Sequence, residues 1–146
     1  MSVTREQIVA AAREWLGTPF RHQGRLKGVG VDCAGVLEGV ATQLGLVPEY
    51  LAAPARAEYA RQPDGTLNAL LDKYLVRVPL TQREPGDVAL VAWSRLPQHV
   101  GIFTSTGTLL HAYESAHKVV EVTWAGGLQR MTRACYRFPE LPVGDQ

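Results

Sequence analysis

The sequence predicts an α+β domain, with N-terminal helices packed on an antiparallel sheet of about five strands. Three observations carry this. Apolar residues recur at helical spacing through the first half, over Ile8–Leu16, Val36–Leu44 and Leu67–Leu71. From Val76 the pattern changes to two-residue alternation and short apolar runs punctuated by turn residues. Helices first and strands afterwards is the order of an α+β fold. At 146 residues the chain fits one domain spanning 1–146, long enough to bury a core.

Thr4 and Gln7 form a capping-box pattern, and Ile8, Val9, Ala12, Trp15 and Leu16 then share one helical face. Gly17-Thr18-Pro19 stops this helix, and residues 18–31 read as a loop. Asp32 is placed as the N-cap of a second helix, whose stripe is Cys33, Val36, Leu37, Val40 and Leu44 and whose C-terminal cap is Gly45. Residues 47–65 are rich in Pro, Ala and Arg and read as irregular, with a short helix near Ala55–Ala60. Thr66 to Tyr74 reads as a third helix with Leu67, Leu70 and Leu71 inward.

Val76 and Val78 alternate with charge, and Pro85-Gly86-Asp87 is a turn. Val88 to Trp93 is almost continuously apolar, as in a strand covered on both faces. Further strands are expected at His99–Thr104, Thr108–Glu114, Val119–Trp124 and Ala134–Phe138.

Net charge is +1 and the basic residues are scattered, so nothing suggests a nucleic-acid surface. There is no apolar run of membrane-spanning length. The N-terminus leads into an amphipathic pattern rather than a signal-peptide block, so synthesis in the cytoplasm without an export signal is expected. Nothing calls for a disulfide between Cys33 and Cys135. CxxC and HExxH are absent, so no metal or other cofactor is expected.

Chemistry concentrates at Val31-Asp32-Cys33-Ala34-Gly35. A thiol in the first turn of a helix meets unpaired N–H groups and the positive end of the helix dipole, which favour the thiolate. The bland alternative is a small buried cysteine, which is common. His99 and His111 sit in adjacent expected strands joined through Ser105-Thr106-Gly107. A three-residue loop, with Gly107 left-handed, would make Thr104 oppose Thr108. His111 would then face Gly101, His99 would face Tyr113, and the two histidines would be diagonal neighbours on one face. A two-residue loop, Thr106-Gly107, would put them on opposite faces. Paired, they could serve as a base and the group that orients it. Unpaired, each is a strand histidine with its own partner, and a Cys-His-His metal site is a third possibility. His117 falls in an exposed turn, and His22 sits in the loop before Cys33.

These residues resemble the NlpC/P60 superfamily of papain-like cysteine peptidases. The resemblance runs in order through Trp15-Leu16-Gly17-Thr18-Pro19-Phe20, Asp32-Cys33-Ala34-Gly35, Pro85-Gly86-Asp87-Val88, His99-Val100-Gly101-Ile102 and Leu110-His111-Ala112. Arg21-His22-Gln23, Gly28-Val29-Gly30 and Tyr136-Arg137-Phe138-Pro139 are similar to the phage and prophage subgroup. The resemblance implies a papain-like fold and an endopeptidase cutting peptidoglycan stem peptides, at the bond between γ-D-glutamate and the diamino acid. It implies Cys33 as nucleophile, His99 as base and His111 as the residue holding the His99 ring. Asp32, Phe20, His22 and Gln23 would border the substrate, and phage tail proteins would be partners on the virion. Many family members carry Tyr at the position of Phe20, and Phe cannot donate that hydrogen bond. Beside this stand two alternatives: an antibacterial amidase effector with the same triad, and a structural tail-tip protein that keeps the fold without the activity.

Overall fold

The computed structural model describes residues 3–46, 66–93 and 99–141. The chain order is α1 (Arg5–Arg13), β1 (Arg25–Leu26), β2 (Gly30–Val31), α2 (Cys33–Leu44), α3 (Thr66–Tyr74), β3 (Val76–Val78), β4 (Val88–Val91), β5 (His99–Ser105), β6 (Thr108–Tyr113), β7 (Lys118–Thr123), α4 (Gly126–Met131) and β8 (Thr132–Arg137). The helix expected near Ala55–Ala60 lies outside the described residues.

Local chemistry sets the start of α1 and both ends of α2 where the sequence places them. Thr4 and Gln7 make both hydrogen bonds of a capping box at the start of α1. Asp32 caps α2 with extended backbone, and Gly45 closes it at φ 66° in the left-handed region that L side chains avoid. α1 is shorter than its apolar pattern implies. It ends at Arg13, and residues 14–18 continue as tight turns, Leu16 N–H donating to Arg13 and Thr18 N–H to Trp15. That tightening swings Leu16 off the inward stripe and leaves it 42 % exposed, while Trp15 stays buried.

The main sheet has six antiparallel strands rather than about five, in the order β3-β8-β4-β5-β6-β7. The short Val76–Val78 segment pairs with β8 and supplies the edge. The 18–31 loop also contains a two-stranded hairpin, Arg25↔Val31 and Leu26↔Gly30. Its strands are two residues each, too brief to leave an alternation pattern in the sequence. α4 was not expected either. Its six residues include two glycines and no side-chain cap, so they give no helical signal.

β4 is buried along its whole length, as a run apolar on both faces requires. Val88 and Leu90 join the cluster beneath the helices, with Ile8, Ala12, Trp15, Val36, Val40 and Leu71. Ala89 and Val91 join a second cluster with Phe103, Leu109 and Trp124, against which Leu80, Leu128 and Met131 pack. The strand stops at Val91, short of the expected Trp93. At roughly 1.5–3 kcal/mol for each large apolar side chain buried, the helix-side cluster is the main source of stability.

The β5–β6 turn combines the two loops weighed above. Ser105 pairs with Thr108, so the loop is the two-residue Thr106-Gly107, and Gly107 is not left-handed. The register then shifts between Phe103 and Ser105, and Phe103 pairs with Leu109. The bulge absorbs Thr104 and restores the pairing expected from a three-residue loop. Its polar atoms are satisfied locally: Thr108 Oγ1 lies 2.6 Å from Thr104 Oγ1 and 2.7 Å from Ser105 Oγ.

Candidate active site

The two strand histidines meet. His99 Nε2 and His111 Nδ1 are 2.6 Å apart, within hydrogen-bond distance, and both side chains are buried. Burial, with the neighbouring His111 as a second cause, pushes His99 down to about 3. Burial alone pushes His111 down to about 4. Both imidazoles are therefore neutral near pH 7. One proton occupies the bond between them, and its position sets the chemistry. If His99 Nε2 donates, His99 Nδ1 carries a free lone pair and can act as a base. If His111 Nδ1 donates, His99 Nδ1 keeps its own proton and cannot.

Aromatic rings enclose the pair. Tyr113 stacks on His111 with centroids 5.1 Å apart and planes 12° from parallel. Trp93 lies 5.7 Å from the His99 ring and 6.0 Å from Tyr113, and is 39 % exposed. These rings add to the burial that desolvates the imidazoles and keeps them neutral. The expected register already set Tyr113 opposite His99, but neither ring was read from the sequence as part of the site. Tyr113 was findable, since it lies two residues from His111 on the same strand face; Trp93 was hidden at the end of an apolar run.

Cys33 is the first residue of α2, buried to 5 % exposure. α2 packs on β5 and β6. Cys33 shares a buried cluster with Val100, Leu110 and Ala112, the chain neighbours of His99 and His111. Both cysteines are thiols outside any disulfide. They differ in surroundings: Cys135 is fully buried and its thiol is pushed up to about 12, first by burial and next by the Asp87 charge. Iodoacetamide near neutral pH should therefore modify Cys33 first and reach Cys135 only on unfolding. Mass spectrometry of tryptic peptides over a time course checks this, and equal slow labelling would count against an activated Cys33.

The other expected site residues surround the start of α2. Asp32 is 1 % exposed and its carboxylate is engaged on both oxygens. Oδ1 accepts from Gly35 N–H at 2.9 Å and from Arg25 Nη1 at 2.8 Å, and Oδ2 accepts from Gln23 N–H at 2.8 Å. Gln23 reaches that position with a left-handed φ of 61° in the turn closed by Gly24 N–H to Arg21. His22 is half-buried in the same turn. Phe20 packs partly into the helix-side cluster, and its N–H donates to the His117 carbonyl. Arg25 and Glu38, joined at 3.1 Å, were not anticipated, because an arginine in a glycine-rich loop reads as solvated. His117 lies exposed in its turn. Among the described residues, no three His, Cys, Asp or Glu side chains come together in a way that would hold a metal ion.

The NlpC/P60 family model matches residues 17–135, more than half of the chain. This chain belongs to the NlpC/P60 family. No curated protein matches it. Solved structures of the family share the fold. An NlpC/P60 family protein from Bacillus cereus superposes with a TM-score of 0.72 at 17% identity, covering 94% of this chain and 41% of its own. The NlpC/P60 domain of the peptidoglycan hydrolase SagA gives 0.65 at 20% identity, covering 92% of this chain and 98% of its own. The peptidoglycan hydrolase RipB from Mycobacterium tuberculosis gives 0.60 at 21% identity, covering 92% and 64%. The chain thus spans less than half of the Bacillus cereus protein and nearly all of the SagA domain. The α+β NlpC/P60 fold expected from the sequence motifs is the fold found.

Proposed function

We propose that this chain is a cysteine endopeptidase that hydrolyses peptidoglycan stem peptides, at the bond between γ-D-glutamate and the diamino acid. The observation that carries the reading is the 2.6 Å contact between neutral, buried His99 and His111 on strands that pack under the helix beginning at Cys33. Such a pair supplies a base and its orienter, and a helix start supplies a thiol with backbone donors beside it.

In this mechanism His111 Nδ1 accepts the His99 Nε2 proton, which leaves His99 Nδ1 as the acceptor for the Cys33 thiol proton. The sulfur attacks the scissile carbonyl carbon, and the developing oxyanion is held by the Cys33 N–H at the helix start. The C–N bond breaks as His99 returns its proton to the leaving amine, giving a thioester. Water, deprotonated by His99, then releases the acid and restores the thiol. His111 is suited to this because its lone pair faces the imidazolium formed at each step. Asp32 works in the proposal through the helix start, since its oxygens already have partners, while Phe20, His22 and Gln23 border the substrate.

The subgroup-like segments Arg21-His22-Gln23, Gly28-Val29-Gly30 and Tyr136–Pro139 support a role for the chain on a phage or prophage tail, delivered to the cell wall with the virion. Phe20, which cannot donate a hydrogen bond, favours a second reading: a tail-tip protein that keeps the fold with little activity. Incubation of the folded, reduced protein with purified muropeptides decides between them. The expected result is a product pair cut after γ-D-glutamate, identified by mass spectrometry and absent with Cys33→Ala. Muropeptides left intact after prolonged incubation would overturn the enzyme reading.

A further inference from the structure

Arg25 bridges two carboxylates at the start of α2. Its Nη1 donates to Asp32 Oδ1 at 2.8 Å and to the Gly24 carbonyl at 2.8 Å, and its Nε donates to Glu38 Oε2 at 3.1 Å. The side chain is only 10% exposed, Asp32 1% and Glu38 11%. The remaining nitrogen, Nη2, is buried and has no hydrogen-bond partner among the described residues. Removing a guanidinium from water with one donor unsatisfied is costly.

Capping alone does not require this arrangement. Asn at position 32 would accept the Gly35 N–H as well as Asp does, and would need no cation. The carboxylate and its cation do more here than cap the helix. Their surroundings indicate two effects. The first is geometric. Asp32 ties Gln23 N–H, Arg25 and Gly35 N–H to one carboxylate. The loop lies so close to the helix that a Cβ on Gly35 would come within 2.6 Å of the Gly24 carbonyl oxygen and 3.1 Å of Arg25 Nη1. The second is electrostatic. An uncompensated carboxylate on the residue before Cys33 would oppose formation of a thiolate, and the Arg25 charge cancels it. The other elements on α2 do not supply that cancellation. His99 on β5 and His111 on β6 are neutral, and α1 turns Ile8, Ala11, Ala12 and Trp15 into the shared cluster. On α2 itself, Glu38, five residues beyond Cys33, adds a further negative charge and shares the same cation, so Asp32, Arg25 and Glu38 together carry a net charge of −1, against −2 without Arg25.

We propose that Arg25 is a positioning residue for the Cys33 chemistry: by holding Asp32 and reaching to Glu38 it fixes the 21–26 loop against the first turn of α2 and offsets the Asp32 charge beside the thiol. This deepens the peptidase reading and rests on it for the consequences in turnover. The thiol measurement needs no substrate, so the two can fail separately.

The test follows the rate of Cys33 alkylation by iodoacetamide against pH in wild type, Arg25→Gln, Arg25→Lys and the double variant Asp32→Asn/Arg25→Gln, with circular dichroism melts on each. Arg25→Gln should raise the midpoint by about one pH unit and slow labelling at pH 7 about tenfold. The double variant removes both charges and should bring the midpoint back to that of wild type. Arg25→Lys keeps the charge and the midpoint, yet one ammonium cannot span both carboxylates, so kcat on muropeptides should fall about tenfold with KM little changed. A purely structural arginine would lower the melting temperature without moving the midpoint. A wild-type midpoint in folded Arg25→Gln overturns the proposal. If Arg25→Gln does not fold, a raised midpoint in Arg25→Lys overturns it instead.

Discussion

Replacing His99 by Ala should lower the proposed stem-peptide hydrolysis by about ten-thousandfold, the upper range for loss of a general base. His111→Ala should cost less, about a hundredfold, because the base survives and loses only its orienter; His111→Asn retains an acceptor for His99 Nε2–H and should lie between His111→Ala and wild type. The pH dependence is the sharper check. With His99 held down to about 3 and His111 to about 4, the base stays unprotonated well below the usual histidine range. The acid limb of kcat/KM should accordingly lie below pH 5, and a limb at the ordinary histidine value near 6.5 would mean that the pair is not neutral as described. Stability carries the same signature. Both groups titrate lower in the folded state than in the unfolded chain, so the unfolded chain binds more protons as the pH falls. Stability is full above about 6.5, declines below it, and the decline ends only near pH 3–4. The slope is at most about 1.4 kcal/mol per pH unit for each histidine. Urea unfolding at pH 7 and pH 5 should therefore show wild type losing about 2 kcal/mol more than His111→Asn. Equal losses would sink the neutral-pair account.

How much of this was legible in the sequence depends on the range of the interaction. Helix starts and stops are set within four residues, and Thr4, Asp32 and Gly45 announced them correctly. The His99–His111 contact was legible only as a register problem. Loop length left two registers open, and the structure combines them: a two-residue loop next to a bulge, with hydroxyl bonding among Thr104, Ser105 and Thr108, preserves the pairing. The hairpin of β1 and β2 has four paired residues and leaves no periodic signal. Arg25 and Glu38 are separated by 13 residues and belong to different elements, so their contact exists only once the fold does. The same holds for Arg137 and Asp87, read from the sequence as part of an ending and part of a turn.

That last pair carries the largest expected effect on stability. Asp87 is fully buried and Arg137 is 3 % exposed. Arg137 grips the carboxylate with two nitrogens, Nε to Oδ1 at 3.0 Å and Nη2 to Oδ2 at 2.8 Å. Arg5 Nη1 adds a third donor at 3.1 Å and Glu84 N–H a fourth at 2.9 Å. The cluster joins the start of α1, the turn before β4 and the end of β8. Asp87→Ala removes the anion and leaves the Arg137 guanidinium buried beside a void, which costs about 3–5 kcal/mol. For a domain whose whole stability is about 5–15 kcal/mol, that is a large fraction and corresponds to a melting temperature lower by roughly 10–15 °C. Replacing both charges, as Asp87→Leu with Arg137→Met, should recover most of the loss, because the desolvated cation is gone. Cys135 reports the same event independently: its thiol is fully buried and depressed in reactivity partly by the Asp87 charge, so its alkylation should accelerate in Asp87→Ala as the fold opens. The chemistry should be spared. Asp87 belongs to the turn that leads into β4, whereas Trp93, against His99, follows the strand's other end. At 20 °C, well below the lowered melting point, kcat per folded molecule should stay within about twofold of wild type. A variant that melts normally, or one that loses turnover while still folded, would show that the buried pair does something other than hold the sheet to α1.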